Sequence, residues 1–261
     1  KNKNGKALLT VPEGGLVKWK HRWSDHSLLK SLPRHKGHIF FVPLQVTEDF
    51  QIREHSDLSG VEEMVAQVMN SFAEHARRED VLLFKHHPMD RGYVSYQSQI
   101  NRLVTLLGLE GRVFYGYELP LPTLYPLLKG VITINSTVGL SALLHHVPTF
   151  CMGRALYDLP GLTTRGSLEG FWHKQDPVCK KTFERMRQSL LHLTQLNASF
   201  YRHLDMGAMA VVEKIQQHNV QALSAQKSQR AATPSGVVGV LAILSAFCLL
   251  TEEMLTPVTM L

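Results

Sequence analysis

Lysine and histidine side chains follow directly on an apolar run in this sequence. The run Val81–Phe84 has the composition of a buried strand, and the segment Lys85–Pro88 adds a lysine, two histidines and a proline. Proline cannot continue strand pairing, so the strand is predicted to end here. Ligands of open parallel α/β sheets bind just beyond the carboxyl ends of strands. Lysine and histidine there can hold a phosphate, although two structural histidines in a turn would leave the same pattern.

A second polar segment follows the apolar run Ile39–Leu44 and contains Gln45, Asp49 and Gln51. A carboxylate at the carboxyl end of a strand can act as a nucleophile or a general base. The structural alternative is a solvated acid or an Asx turn in a loop, and residue types alone favour that alternative.

A third polar segment starts where the apolar run Gly130–Ile134 ends. Ser136 or Thr137 can cap the helix predicted next, and the exposed N–H groups of such a helix start can bind an anion. Gly139 would let a ligand approach the backbone closely. A plain helix cap is the simpler explanation, and the shared sheet edge with Lys85–Pro88 is what favours a site.

A long loop, Gly153–Gly166, follows the last predicted strand and contains Tyr157 and Thr163. Loops of this length without secondary structure are often lids or binding loops, so it is a candidate sugar contact. The sequence contains no HExxH, no Cys/His metal spacing, no GxSxG and no P-loop. Metalloprotease, serine hydrolase and P-loop NTPase functions are therefore excluded, and no metal site is predicted.

Short apolar strands alternate with amphipathic helices between residues 38 and 151, which predicts an α/β fold with a parallel, doubly wound sheet. Asp57 is a candidate N-cap for the first long helix, and Gly108 is expected to stop the next one. The predicted strands are Ile39–Leu44, Val81–Phe84, Arg112–Tyr115, Gly130–Ile134 and Val147–Cys151. The predicted helices are Leu58–Arg78, Tyr96–Leu107, Leu119–Leu128, Val138–His145, Cys179–Thr194 and Met206–His218.

Composition limits the partners. The 261 residues carry a formal charge of +6, which favours anionic ligands, but no basic stripe interleaved with aromatics suggests nucleic acid. The three cysteines are far apart in sequence, which is typical of a reducing compartment. Taken with the family resemblance described next, residues 1–36 are predicted to be a remnant of an N-terminal lobe and a linker, 37–220 a nucleotide-sugar-binding lobe, and 221–261 a linker and apolar tail. The apolar run Gly236–Leu250 is shorter than the roughly 20 residues that span a bilayer.

The ordered set of polar motifs resembles the capsule polysaccharide synthesis family of Gram-negative bacteria, and within it the KpsS/LipB branch. That family contains retaining β-Kdo transferases, which transfer the acidic sugar Kdo. Each motif is short, but together they cover residues 38–166 in the order of the family. The matching motifs are Pro43–Val46 with Asp49 and Gln51, Lys85 with His87-Pro88, Asn135–Gly139, and Gly153 through Tyr157 to Thr163.

The resemblance implies a GT-B-like architecture of two Rossmann-like lobes, with the donor CMP-Kdo held by the C-terminal lobe. Asp49 would be the nucleophile of a double displacement that proceeds with net retention, and no cofactor or metal would take part. His87, next to the proline, would bind the donor phosphate, and His86 would be structural. Donor binding is assigned to Lys85, His87, Ser136, Thr137 and Gly139, and substrate contacts to Gln45, Gln51, Tyr157 and Thr163.

The partners implied by the resemblance are a phosphatidylglycerol-type lysophospholipid acceptor and other capsule assembly proteins. The reaction would start the poly-Kdo linker of a capsular polysaccharide at the inner membrane, with the enzyme cytoplasmic and peripheral to that membrane. The family's N-terminal lobe has a Glu-containing glycine/tyrosine-rich motif that is not found here. We therefore expect the N-terminal lobe to be largely absent from this chain.

Three other functions fit the same residues. A GT-B transferase could use CMP-sialic acid or a UDP-sugar, because some CMP-sialic acid enzymes also pair a His-Pro element with a Ser/Thr element. A non-catalytic capsule assembly or export component would bind glycolipid without chemistry. A nucleotide-sugar epimerase of similar fold would need no lipid acceptor.

Overall fold

A computed structural model describes residues 25–90, 93–193 and 207–216 of the chain. These residues fall into two compact units that divide between Phe183 and Glu184, earlier than the boundary at residue 220 that the sequence suggested. The larger unit holds the sheet and the four polar segments. The smaller unit contains most of helix Lys180–Leu193 and a further helical stretch, residues 207–216.

Five parallel strands form the sheet: β1 (Ile39–Pro43), β2 (Val81–Lys85), β3 (Val113–Gly116), β4 (Leu128–Thr133) and β5 (Thr149–Cys151). Their order is β3-β2-β1-β4-β5. Phe40 lies opposite Leu82 of β2, and Phe41 lies opposite Val131 of β4. The chain first moves outward from β1 to β3 and then returns to the other side of β1, so the strand order reverses between β1 and β4. The predicted doubly wound parallel sheet is confirmed, and its switch point lies between these two strands.

The larger unit includes three helices that the sequence did not predict: residues 25–31, which were assigned to a linker, Phe50–His55 and Leu168–His173. They have six or seven residues each, fewer than two turns, so none can show a clear hydrophobic period. The helices of this unit are α1 (residues 25–31), α2 (Phe50–His55), α3 (Val61–His75), α4 (Gln97–Leu107), α5 (Leu121–Leu124), α6 (Thr137–Leu144) and α7 (Leu168–His173), with 3-10 turns at Leu32–His35, Pro88–Asp90 and Tyr125–Leu127. Helix α8 (Lys180–Leu193) lies mostly in the smaller unit.

Both faces of the sheet are buried, which explains why its strands read as continuous apolar runs. Phe40 and Val42 of β1 point into a core formed with α3, α4 and α7. Ile39 and Phe41 point the opposite way, into a second core with α5, α6 and the turn at Leu32–His35. Alternate residues of one strand thus serve two cores, as the two-residue period of a strand requires.

The start of α3 differs from the sequence expectation. The helix begins at Val61 with Gly60 as its N-cap, and the predicted cap Asp57 is wrong. The Asp57 carboxylate instead accepts a hydrogen bond at 2.9 Å from the guanidinium of Arg154, on the exposed surface.

The end of α4 was predicted correctly, because Gly108 adopts the left-handed conformation with φ of 62°.

Residues 25–36 pack onto the sheet. The carboxylate of Asp25 is buried and accepts hydrogen bonds from the backbone N–H groups of Tyr117 at 3.0 Å and Glu118 at 2.6 Å. Leu32 is fully buried in the second core. This part of the predicted 1–36 segment therefore contributes to the larger unit.

The predicted tail 221–261 lies outside the described residues. Within those described, no helix is both long and apolar enough to cross a membrane.

Candidate active site

The four polar segments all follow strand ends on one side of the sheet. They come after β1, β2, β4 and β5, which are neighbours in the order β2-β1-β4-β5. Parallel strands place their carboxyl ends at the same edge, so the segments converge there. Gln45, which follows β1, and Asn135, which follows β4, lie on the two sides of the switch point.

Gln45 and Asn135 join the first and third segments through their side-chain amides. Gln45 is buried; its Nε2 donates to Asn135 Oδ1 at 2.9 Å, and its Oε1 accepts from the Asn135 backbone N–H at 3.1 Å. Asn135 Nδ2 then donates to the backbone oxygen of Gln51 at 2.8 Å. These bonds fix the start of α2 against the end of β4. The sequence indicated Asn135 only as part of a motif. Its bridging role could not be predicted because its partner Gln45 lies 90 residues away in the sequence.

Asp49 is half-buried and is the N-cap of α2. Its Oδ1 accepts the backbone N–H of Gln51 at 2.9 Å, and its Oδ2 accepts Nε2 of Gln45 at 3.0 Å. Each carboxylate oxygen therefore accepts a hydrogen bond, and the two bonds together set the orientation of the carboxylate. The cap explains an acid here without any catalysis, and the fixed carboxylate is also what a nucleophile requires. The described contacts of Gln51 use its backbone.

The two histidines of the second segment have different surroundings. His86 is almost fully buried, its Nδ1 lies 2.7 Å from the hydroxyl of Tyr115, and its ring packs against Tyr117. His87 is half-buried, and its Nδ1 accepts the backbone N–H of Met89 at 3.2 Å. An accepting Nδ1 leaves Nε2 to carry the proton of the neutral ring, so His87 can donate from Nε2. Lys85 is the last residue of β2 and is also half-buried.

Ser136 caps α6, the helix that starts at this edge. Its hydroxyl oxygen accepts the backbone N–H of Val138 at 3.2 Å. Thr137 is the first residue of the helix, and both side chains are half-buried. The cap satisfies one of the N–H groups at the helix start, and the helix dipole still favours an anion near its first turn.

Gly139 has a different explanation from the one the sequence suggested. A Cβ atom at this position would lie 2.2 Å from the Tyr157 hydroxyl oxygen, so the space beside the glycine is filled by Tyr157. Tyr157 is buried and donates a short hydrogen bond to the backbone oxygen of Ser136. Burial also raises the pKa of its hydroxyl, which keeps it a donor. Gly139 and Tyr157 thus pack against each other and stabilise the start of α6.

Thr163 is likewise buried within the loop that follows β5. Its hydroxyl donates to Asp158 Oδ1 at 2.5 Å, and the other oxygen of Asp158 lies 3.3 Å from the guanidinium of Arg165. This cluster closes the loop on itself. Tyr157 and Thr163 were expected to touch a sugar; the described contacts show them holding the loop and the helix start in place.

A buried carboxylate that sequence reasoning missed lies beside the second segment. Asp90 ends the 3-10 turn that contains Pro88, and its Oδ2 accepts both the backbone N–H and the hydroxyl of Thr47, at 3.1 and 3.0 Å. The Thr47 hydroxyl in turn lies 2.7 Å from the hydroxyl of Tyr96. A buried acid cannot be told from a solvated one by sequence, because burial here depends on the loop after β1.

The surroundings suit anion chemistry without a metal-ligand cluster. Among the residues described, no group of three or more His, Cys, Asp or Glu side chains is placed to hold a metal ion. The edge combines a fixed carboxylate, Asp49, with the donors Lys85, His87 and Ser136. Such a set can bind an anion and present a nucleophile beside it.

The sequence matches known capsule proteins. The model of the capsule polysaccharide biosynthesis protein family matches residues 15–201. The capsule polysaccharide modification protein LipB of Neisseria meningitidis serogroup A is 43% identical over 166 residues, which are 63% of this chain and 40% of LipB. The capsule polysaccharide export protein KpsS of Escherichia coli is 42% identical over 187 residues, 70% of this chain and 48% of KpsS. The chain thus spans less than half the length of these relatives.

Two solved structures resemble it more distantly. The β-Kdo 2,7 transferase KpsC of Thermosulfurimonas dismutans has a TM-score of 0.40 at 19% identity, covering 63% of this chain and 51% of KpsC. The wall teichoic acid polymerase TagF has a TM-score of 0.35 at 15% identity, covering 79% of this chain and 51% of TagF. The family match covers most of the chain and includes all four polar segments, and on that ground the protein belongs to the capsule polysaccharide biosynthesis protein family.

Proposed function

We propose that the protein is a glycosyltransferase of capsule assembly, which transfers Kdo from CMP-Kdo with retention of configuration to a phosphatidylglycerol-type lysophospholipid. The observation that carries the proposal is the arrangement at the switch point. There, Gln45 bonds to both Asp49 and Asn135, while Lys85 ends the neighbouring strand β2 and His87 follows two residues later. A member of a capsule family with an oriented carboxylate and cationic side chains at neighbouring strand ends is suited to act on a nucleotide sugar.

Asp49 would act as the nucleophile. Its carboxylate would attack the anomeric carbon of Kdo as the bond from that carbon to the CMP phosphate oxygen breaks and CMP leaves with the electron pair. The acceptor hydroxyl would then attack the same carbon from the face that CMP has left, with its proton passing to water as the bond to Asp49 breaks, and the two inversions give net retention. The bonds from Gln45 and the Gln51 N–H hold the carboxylate in one orientation before the substrate arrives.

The departing CMP phosphate needs cationic and N–H or O–H donors. Lys85 and the Nε2–H of His87 are suited to this from the end of β2, and Ser136 and Thr137 from the start of α6. Gln45 and Gln51 would shape the sugar side of the site. Tyr157, Thr163 and Gly139 would act through the positions of α6 and the loop, since the first two are buried and the third touches Tyr157.

The acceptor and the location are part of the proposal. An anionic lipid headgroup is compatible with the net charge of +6, and we propose that the full protein works at the cytoplasmic face of the inner membrane with other capsule assembly proteins. The names of LipB and KpsS as capsule modification and export proteins support a role in capsule assembly.

The test is mass spectrometry of the protein incubated with CMP-Kdo and a lysophospholipid, with and without the Asp49→Asn substitution. Asparagine is as good an N-cap as aspartate, so α2 should persist while the nucleophile is lost. The expected result is a Kdo–lipid product from the wild type and a decrease of about 10²-fold or more in the variant. Asp57→Asn is the matched control, since Asp57 is a fully solvated acid just beyond the same helix and should not affect turnover.

Each other outcome contradicts a defined part of the proposal. Release of CMP without a Kdo–lipid product would refute the lipid acceptor. Turnover of CMP-sialic acid or a UDP-sugar, with none of CMP-Kdo, would refute the donor. An Asp49→Asn variant that forms product at the wild-type rate would refute the nucleophile, and absence of turnover with every donor would favour the non-catalytic assembly component.

A further inference from the structure

The side chain of Asp90 connects the two loops that carry the proposed nucleophile and the proposed phosphate ligand. Asp90 is 5% exposed, although carboxylates are rarely buried in this way without strong partners. It lies on the loop after β2, three residues beyond His87. Its partner Thr47 lies on the loop after β1, two residues before Asp49.

The direction of the hydrogen bonds follows from counting protons. The Thr47 hydroxyl has one proton, and it donates that proton to Asp90 Oδ2. The oxygen of Thr47 must therefore accept in its bond with Tyr96, so that Tyr96 is the donor at 2.7 Å. Burial raises the pKa of Tyr96 to about 12, so the hydroxyl is protonated over the whole physiological range. The result is a directed chain from Tyr96 through Thr47 to a carboxylate, in which each bond strengthens the next.

Asp90 also belongs to the turn that sets His87. The backbone N–H of Asp90 donates to the His87 backbone oxygen at 3.1 Å, and the neighbouring N–H of Met89 donates to His87 Nδ1. On the other loop, the backbone N–H of Asp49 donates to the Val46 oxygen at 3.0 Å, within the turn that includes Thr47. The Asp90 carboxylate therefore links two short turns, one of which carries His87 and the other Asp49.

From this geometry we propose that Asp90 is a positioning residue, which sets the distance between Asp49 and His87 by holding Thr47. The proposal rests on the proposed function for its kinetic consequence, but the positioning itself does not. A displacement of about 1 Å between reacting groups can lower a rate by roughly 10²-fold. Loss of the Asp90 bonds should therefore affect turnover much more than it affects binding of the donor.

The experiment compares Asp90→Asn and Tyr96→Phe with Asp80→Asn in the full chain. Asp80 is a matched control, because it is also a fully buried carboxylate, but it lies before β2 at the opposite edge of the sheet, next to Lys129. The first readout is hydrogen exchange of the backbone amides of residues 47–51. We expect about tenfold faster exchange in Asp90→Asn, a smaller increase in Tyr96→Phe, and no local change in Asp80→Asn.

The second readout is kinetic. In Asp90→Asn we expect kcat per folded protein to fall about 10- to 100-fold with KM for CMP-Kdo changed less than threefold. Unchanged exchange at residues 47–51 would overturn the positioning role whether or not the protein is active with CMP-Kdo. Equal kinetic losses in Asp90→Asn and Asp80→Asn would also overturn it, since they would show a general effect of a damaged fold. If the wild type turns over no CMP-Kdo, the proposed function fails, while the exchange result still decides the role of Asp90.

Discussion

Replacing Gln45 by glutamate tests the hydrogen-bond network at the switch point with almost no change in shape. Gln45 Nε2 donates to Asp49 Oδ2 at 3.0 Å and to Asn135 Oδ1 at 2.9 Å. In Gln45→Glu an acceptor oxygen replaces this donor, so that a second carboxylate faces Asp49. Protonation of the new side chain restores one donor, so the stability of the variant relative to the wild type should depend on pH.

The magnitude follows from the distance. Two unit charges 3.0 Å apart repel by about 5 kcal/mol at an effective dielectric constant of 20. Asp49 is half-buried, so solvent screens part of this, and we expect about 2–3 kcal/mol. The repulsion raises the pKa of the introduced carboxyl above its ordinary value of about 4.3. Because the pKa is raised in the folded state, the variant keeps its stability below a pH of about 4.3. It loses that stability as the pH rises through the raised pKa.

The assay is urea denaturation of wild type and variant at pH 5 and pH 8. The difference in the free energy of unfolding between them should grow by about 1–2 kcal/mol from the lower to the higher pH, since part of the loss is already present at pH 5. Gln67→Glu is the matched control, since Gln67 Nε2 donates to Glu63 Oε1 at the same 3.0 Å but on the exposed face of α3. There solvent screens the new charge pair, and we expect a much smaller change than at position 45. A pH-independent loss at position 45, or an equal loss in the control, would refute the reasoning.

Three further predictions concern packing, a buried ion pair and a buried hydroxyl, all measured by urea denaturation. Gly139→Ala places a Cβ 2.2 Å from the Tyr157 hydroxyl and should destabilise by about 1–3 kcal/mol, with partial recovery when Tyr157→Leu is added; no loss would contradict the packing. Lys129→Met leaves the fully buried Asp80 carboxylate without the ammonium that lies 2.9 Å away, and should lose about 3–5 kcal/mol, less when Asp80→Asn is added. Because burial raises the pKa of Tyr96 to about 12, the unfolded chain ionises first, and stability should fall between pH 10 and 12 less steeply in Tyr96→Phe than in the wild type.

The sequence was sufficient to predict the strands of the sheet because they are buried on both faces. Continuous apolar runs ended by polar residues located β1, β2 and β4 to within two residues, and a glycine marked the end of α4. It failed for α1, α2 and α7, which are too short to show a hydrophobic period. It also failed for Asp57, where an acid before a helix was taken as its cap although Gly60 holds that position.

Residue types and strand ends were enough to identify the segments of the candidate site, but not the role of each side chain. Lys85, His87, Asp49 and Ser136 lie at the predicted edge because parallel strands must bring their carboxyl ends together. Gly139 was expected to face a ligand, and it touches Tyr157 instead.

The sequence by itself therefore determined the fold class, the family and the edge of the sheet at which the polar segments meet, because apolar patterns and motif order are local properties of the chain. Only the tertiary structure decided which side chains face each other across that edge. The bonds of Gln45 to Asn135 and of Thr47 to Asp90 join residues 90 and 43 positions apart. Burial of Asp90 and Tyr157 arises from packing between distant elements, and no local pattern records it.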